Sequence, residues 1–364
     1  MRRWPNSLSI DRNQKYALIA EQDGPASYDV KYLQEITKAS QLTLVDIGNP
    51  KNITQLDRKV FPHIPTVVAF HPKENFFALS FIGSDSIAIG TITDDGIQIL
   101  NYSKIALPDE SIPAIPHFTW HPSGKFAAIT LASNDKLMFL RFDKESETWL
   151  KPWGNVLKTS PLPGVGYFTH NGKFFVMTNI NLTSDLEQDA YAENESLLCI
   201  YRFDGTLMPD SPRTRANDGK PTYTSPKIKH TKTANLAFGK GYVETFAISP
   251  NDKYLIGLNM RASWLPESYL GKTTSSELSL FKLDAEKGKA NLISTYPFDG
   301  ILPECIQFDK TGESIVVANF DHNKIENDKG SLAFWRLIET NNEPVLIYLK
   351  SHFMPRGAHY MVVD

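Results

Sequence analysis

Residues 301–320, ILPECIQFDKTGESIVVANF, decide the fold. The first half ends in the alternating run Cys305-Ile306-Gln307-Phe308. Asp309-Lys310-Thr311-Gly312 has the composition of a tight turn. Ser314 to Ala318 is then β-branched and apolar. Strand, turn and strand in this order are the signature of a β-hairpin.

The same unit recurs along the chain. It appears as PTVVAFHPKENFFALSF from Pro65, PHFTWHPSGKFAAITLA from Pro116, GVGYFTHNGKFFVMTN from Gly164 and VETFAISPNDKYLIGLN from Val243. A more worn copy, NSLSIDRNQKYALIAE, starts at Asn6, and a half-copy, PRGAHYMVVD, runs to Asp364. Most copies are followed by two more strand-like runs, as in SLAFWRL (331–337) and PVLIYLK (344–350) after Phe320. Four strands per repeat predict an all-β chain, a β-propeller of four-stranded antiparallel blades in one domain over residues 1–364. There are seven inner-strand starts for six complete repeats, and Arg356–Asp364 aligns as the seventh start. A seven-fold arrangement is therefore expected, with the last blade partial.

Bulk composition is that of an ordinary soluble protein. The net charge of −3 gives no reason to expect nucleic acid or an anionic membrane as partner. Cys199 and Cys305 fall inside strand patterns and read as buried free thiols. The basic start MRRWPNSLSI lacks the apolar run of a signal peptide, and no stretch approaches a membrane span. A cytoplasmic protein is expected; a removed signal peptide would leave the same pattern.

Propeller topology sorts the polar residues by face. Inner-strand starts share one face with the loops between second and third strands, and the long insertions fall there. Loops on a rigid scaffold carry function disproportionately, so this is the candidate face. His71, His121 and His170 stand in first-to-second-strand turns on the opposite face and read as turn caps. Aligned on the inner strands, the ring position at the channel mouth holds Thr66, Pro116, Val165, Glu244, Glu304 and His359. Glu244, Glu304 and His359 should converge there, joined by Arg356 and by His117. Two carboxylates, a guanidinium and an imidazole supply a general base, a general acid and an anion clamp. Arg261 and Trp264, in the insertion after Met260, are expected to contact substrate over the same mouth. Asn179, Asn259 and Asn319 recur at second-strand ends and read as loop caps. No phosphate-binding glycine loop, zinc-ligand spacing or nucleophile elbow occurs, and no cofactor or metal is expected.

The unit P-x-x-h-x-F-x-P-x-G-K-h-h-h-V-x-N, carried here by PHFTWHPSGKFAAIT, GSDSIAIGTI, ESIVVANF and PRGAH, resembles the lactonase-like β-propellers. That family includes the propeller-type 6-phosphogluconolactonases and the carboxymuconate-cyclizing enzymes. The resemblance implies a metal-free lactone hydrolase or lactonizing enzyme acting on an anionic sugar or carboxylate lactone. Glu244 or Glu304 would activate water, Arg356 would hold the anionic group and the developing oxyanion, and His359 would shuttle the proton. Two alternatives stand beside it. One is a non-catalytic propeller binding a peptide or protein partner on its insertion-bearing face. The other is a metal-dependent gluconolactonase-like propeller, which requires a carboxylate cluster.

Overall fold

In the computed structural model the opening stretch is a hairpin of Gly300–Phe308 and Ser314–His322, with Phe308 opposite Ile315 and Ile306 opposite Val317. Its turn is built as the composition predicts. The Asp309 carboxylate accepts from the backbone N–H groups of Gly312 (2.9 Å) and Ser314 (3.1 Å). Gly312 takes φ +77°, which a side chain would resist. The structure describes residues 3–23, 40–106, 115–181, 195–206, 228–263, 272–322, 329–340 and 343–363.

Six such hairpins grow into six antiparallel sheets, each ordered outward from the channel. Blade one is β1–β4 (Arg3–Ile10, Tyr16–Asp23, Gln41–Asp46, Thr54–Val60), and blade two is β5–β8 (Ile64–Phe70, Phe77–Ile82, Ser86–Thr93, Gly96–Lys104). Blade three is β9–β13: His117–Trp120, Phe126–Leu131 and Lys136–Phe142, with Leu150–Pro152 and Leu157–Lys158 sharing the outer edge. Blade four is β14–β17 (Pro163–Phe168, Phe174–Asn179, Leu197–Arg202, Thr231–Ala237). Blade five is β18–β21 (Val243–Ile248, Tyr254–Asn259, Ser276–Asp284, Lys289–Phe298), and blade six is β22–β25 (Gly300–Phe308, Ser314–His322, Lys329–Thr340, Glu343–Pro355). The segment from Thr206 to Gly241, rich in Pro, Lys, Thr and Asn, reads by composition as a long connection between blades four and five, but it contains β17, the outer strand of blade four. Its polar, Lys- and Thr-rich composition suits an outer strand with solvent on much of its surface, which is why it does not read as one. No helix among the described residues is long and apolar enough to cross a membrane.

Successive blades are held by apolar side chains on facing strand faces. Along β15, Phe174 and Val176 pack toward blade five while Phe175 and Met177 pack toward blade three. This alternation follows from the two-residue period of a strand. Among the described residues there are five such cores, one at each junction from blade one to blade six. Both cysteines are buried free thiols, as expected.

The turn-face histidines stitch neighbouring blades. His71 Nε2–H donates to Gly124 O (2.8 Å), and His121 Nε2–H donates to Gly172 O (2.9 Å). Each acceptor is the positive-φ glycine of the next blade's turn. At the following junction Asp252 takes the glycine's place and its carboxylate binds His170 (2.9 Å). Asn179 and Asn259 tie the loops entering their blades, through Ser160 O (2.7 Å) and Lys240 O (3.3 Å).

Ring closure differs from the other junctions. Residues 356–363 run beside β22, with His359 against Glu304, the Cys305 thiol donating to Met361 O (3.8 Å), and Val363 N–H donating to Gln307 Oε1 (3.0 Å). Tyr360 hydrogen-bonds to Ser7 of β1. The tail thus occupies the seventh inner position, parallel to β22, but no strand pairs with it among the described residues. The seven-fold expectation holds for the inner ring, while the complete sheets are six.

Candidate functional site

Five of the six inner strands begin with a local irregularity; that of blade three, β9, pairs without one. Pairing with the second strand skips between Pro5 and Ser7, Pro65 and Val68, Pro163 and Gly166, Val243 and Thr245, and Pro303 and Cys305. Asn6, Glu244 and Glu304 are therefore single bulged residues. A β-bulge leaves its extra residue out of the ladder and re-aims its side chain. That is how two carboxylates on separate blades come to address one point.

The tail delivers the third group. His359 Nδ1 lies 3.2 Å from Glu304 Oε2, with the imidazole 31% and the carboxylate 11% exposed. Burial pushes Glu244 up to about 8; the charge of Glu304 adds to this, while His359 and a hydrogen bond with Tyr242 oppose it. Burial alone would lower His359, but the hydrogen bond to Glu304 and the charges of Glu304 and Glu244 outweigh it and raise the imidazole above its usual value. The cluster thus holds one carboxyl that stays protonated through neutral pH beside a histidine hydrogen-bonded to a second glutamate. These supply a proton donor and an oriented proton acceptor.

The other expected site residues are placed differently. Arg356 does not join the cluster. Its Nε is 3.0 Å from Asp321 Oδ2, and its guanidinium lies 5.4 Å from the Phe320 ring centre. Gly357 N–H donates to Phe320 O, which turns the chain so that Arg356 and His359 point to different neighbours. Arg261 faces Glu277, whose carboxyl it helps to keep charged against burial. His117 lies in the channel wall as a structural group: its Nε2 is 2.8 Å from both Gly166 O and Thr119 Oγ1. Burial lowers it to about 4, so it is neutral. Trp264 lies outside the described residues. Among the described residues no three His, Cys, Asp or Glu side chains are grouped to hold a metal ion.

Sequence reasoning missed the tyrosines. Tyr360, beside His359, meets Tyr167 of β14 across the channel, and Tyr167 also bonds Thr245. Burial raises both phenols, Tyr360 to about 12. Adjacency to His359 was the only signal available for Tyr360. Tyr167 follows a bulge, and the bulge shifts its phase relative to the aligned position. Beyond this pair a cleft of about 500 Å³ opens on the turn face, between Trp120, Phe168, Ile248, Phe308 and Val363. Glu244, Glu304 and His359 do not line it.

Comparison with known proteins bears on the fold. No protein-family model matches the chain, and no curated protein matches it. Solved structures do. A periplasmic gluconolactonase of Pseudomonas aeruginosa superposes with a TM-score of 0.62 at 15% identity, covering 97% of this chain and 86% of that one. A presumptive 6-phosphogluconolactonase of Bacteroides fragilis gives 0.64 at 14% identity, covering 97% and 85%. The Cps50 (Swd1) β-propeller domain of Myceliophthora thermophila gives 0.56 at 12% identity, covering 87% and 80%. The chain has the fold of the lactonase-like β-propellers.

Proposed function

We propose that the chain hydrolyses a lactone at the mouth formed by Glu244, Glu304 and His359. The observation that carries this is the Glu304–His359 pair standing beside a carboxyl that burial holds up to about 8. Glu304 takes Nδ1 of His359, which leaves Nε2 to accept a proton from water. The water oxygen attacks the lactone carbonyl carbon. Glu244 gives its proton to the ring oxygen as the acyl C–O bond breaks, yielding a hydroxy acid. The proton on His359 returns to Glu244 through solvent. The likeness of fold to a gluconolactonase supports this reading only as architecture, since one fold hosts many chemistries.

The geometry favours an uncharged lactone over the anionic one expected from sequence. Among the described residues both guanidiniums named for this mouth face a carboxylate, Asp321 or Glu277. Arg356 is held by Asp321, and Arg261 lies within electrostatic reach of Glu277. The test is hydrolysis of glucono-δ-lactone and of its 6-phosphate, followed by pH-stat against the spontaneous rate. Turnover of the first, exceeding the second and lost in His359→Ala, is the expected result. Wild-type protein that leaves both at the spontaneous rate would sink the proposal. Partner binding on the insertion-bearing face is the other reading; Trp264, expected to contact substrate over the same mouth, lies outside the described residues.

A further inference from the structure

Apart from the reaction, a second cleft on the turn face concentrates positive charge. It lies between blades three and four, has a volume of about 670 Å³, and is lined by Lys73, Lys125, Lys173, Arg202 and Lys229. The chain as a whole carries a net charge of −3, so the sign is reversed locally. The corresponding cleft between blades five and six differs. There Arg336 stands among Glu313 and Glu339, and is paired with Glu313 at 3.0 Å.

The five cations come from separate segments that the ring brings together. Lys73, Lys125 and Lys173 belong to the first-to-second-strand turns of blades two, three and four. Arg202 closes β16, and Lys229 precedes β17. Each is anchored. Lys73 N–H donates to His71 Nδ1 (3.2 Å), Lys125 N–H to Ser123 Oγ (3.2 Å), Lys173 N–H to Asn171 Oδ1 (2.9 Å) and Lys229 N–H to Asp204 Oδ2 (3.2 Å). The Arg202 guanidinium lies over the Phe174 ring at 4.9 Å.

Most of this charge is unspent. Lys173 is paired with Glu286, but among the described residues no hydrogen bond or ion pair engages the ammonium groups of Lys73, Lys125 and Lys229. Asp204 is the carboxylate in the lining, and its own loop consumes it: it accepts from Thr206 N–H (3.1 Å), Thr206 Oγ1–H (2.7 Å) and Lys229 N–H. The charge of Lys73 reaches the floor of the cleft, where it adds to burial in keeping His121 neutral. Like charges held around one concavity repel each other, and a multivalent anion relieves that repulsion. The residue types select the anion. An arginine fork matches phosphate oxygens, and lysines act on them as point charges. A single carboxylate would leave most of the set unneutralised, whereas linked phosphates carry charge on every unit. The volume is that of a small-molecule site.

We propose that the cleft between blades three and four binds a small ligand carrying two or more linked phosphate groups, with Lys73, Lys125, Arg202 and Lys229 on the phosphate oxygens.

Inorganic tripolyphosphate is the probe, titrated calorimetrically into the full chain at about 0.15 M salt, where charges on open surface are screened. One equivalent should bind saturably, about tenfold or more tighter than orthophosphate. ATP is the second arm. Binding tighter than that of tripolyphosphate adds a nucleoside to the ligand, and equal or weaker binding limits it to the phosphates; both support the site. Lys125→Glu with Lys229→Glu, at exposed positions, should keep the melting temperature and weaken tripolyphosphate about tenfold or more. Arg202→Lys keeps the charge, loses the fork and should weaken it about threefold. Lys253→Glu, on the turn of blade five, should leave it unchanged. No saturable binding, equal binding of orthophosphate, full affinity in the double variant, or an equal loss in Lys253→Glu would each overturn the proposal. So would binding of oligoribonucleotides that tightens with their length beyond that of ATP, since the occupant would then be a nucleic acid strand.

Discussion

The staple histidines of the turn face and His359 at the mouth use the imidazole in opposite ways. On the turn face, His71 and His121 spend Nε2 on a glycine carbonyl of the next blade and Nδ1 on their own turn. Burial lowers both, so they stay neutral and act as fixed staples. On the other face His359 has a carboxylate as its partner, and its affinity for protons rises. The residue type is the same. What differs is whether the ring nitrogens are consumed by backbone or offered to a titrating group. The first arrangement stabilises the ring, and the second leaves a group able to exchange protons.

Changing each face should therefore give different kinds of loss. The largest effect is expected in the cluster. His359→Ala or Glu304→Gln should lower kcat for lactone hydrolysis by about a hundredfold or more while leaving the fold intact, a loss typical of removing a general acid–base group. Lys310→Ala, on the turn-face cleft, should leave kcat unchanged. Equal losses at both ends of the channel would erase the contrast.

Next is a stability effect confined to the turn face. A Cβ on Gly124 would stand 2.5 Å from the His71 ring at φ +73°. Gly124→Ala should cost about 2 kcal/mol in denaturant titration, from strain and a displaced staple, with no change in substrate affinity.

The pH dependence separates two buried groups of the channel. Glu244 is raised in the fold from 4.5 to about 8, so its contribution to stability is present at acid pH and is lost as pH rises through that interval. Glu244→Gln should relieve this penalty and be more stable than the parent by about 2 kcal/mol at alkaline pH, with the gain vanishing in acid. His117 has the opposite sign. It is lowered from 6.5 to about 4, so its contribution is present above 6.5 and lost as pH falls toward about 4. Thermal melts of parent and variant across this range would check both. For activity, His359 must be neutral and Glu244 protonated, which calls for a bell-shaped profile whose alkaline limb lies near 8.

The smallest effect concerns the partition between the two mouths. Tyr360→Phe removes hydroxyl contacts with Ser7 and Tyr167 and should cost about 1 kcal/mol. An unchanged kcat would assign the tyrosine pair to ring closure, and a tenfold fall would extend the cluster inward.

The repeat itself was fully legible in the sequence. Alternation around Ile306 and Phe308, and the Asp309–Gly312 turn, specify a hairpin with no help from distant residues, because strand period and turn chemistry are local. The ring position holding Glu244, Glu304 and His359 was legible for the same reason: repeats in register put equivalent residues at equivalent places. Arg356 was misread because two residues separate it from His359, and only the Gly357 hydrogen bond to Phe320 determines which way the chain turns. β17 was missed because an outer strand loses most of the apolar alternation that marks a buried one. His117 could be placed in the channel wall, but its neutrality comes from burial against other blades, which the sequence does not show. What the sequence by itself determined is the blade, its count of inner strands and the residues facing the mouth. Tertiary structure alone decided which charges meet and which histidines are neutral, because those depend on contacts between repeats and on burial, and neither has a local signature.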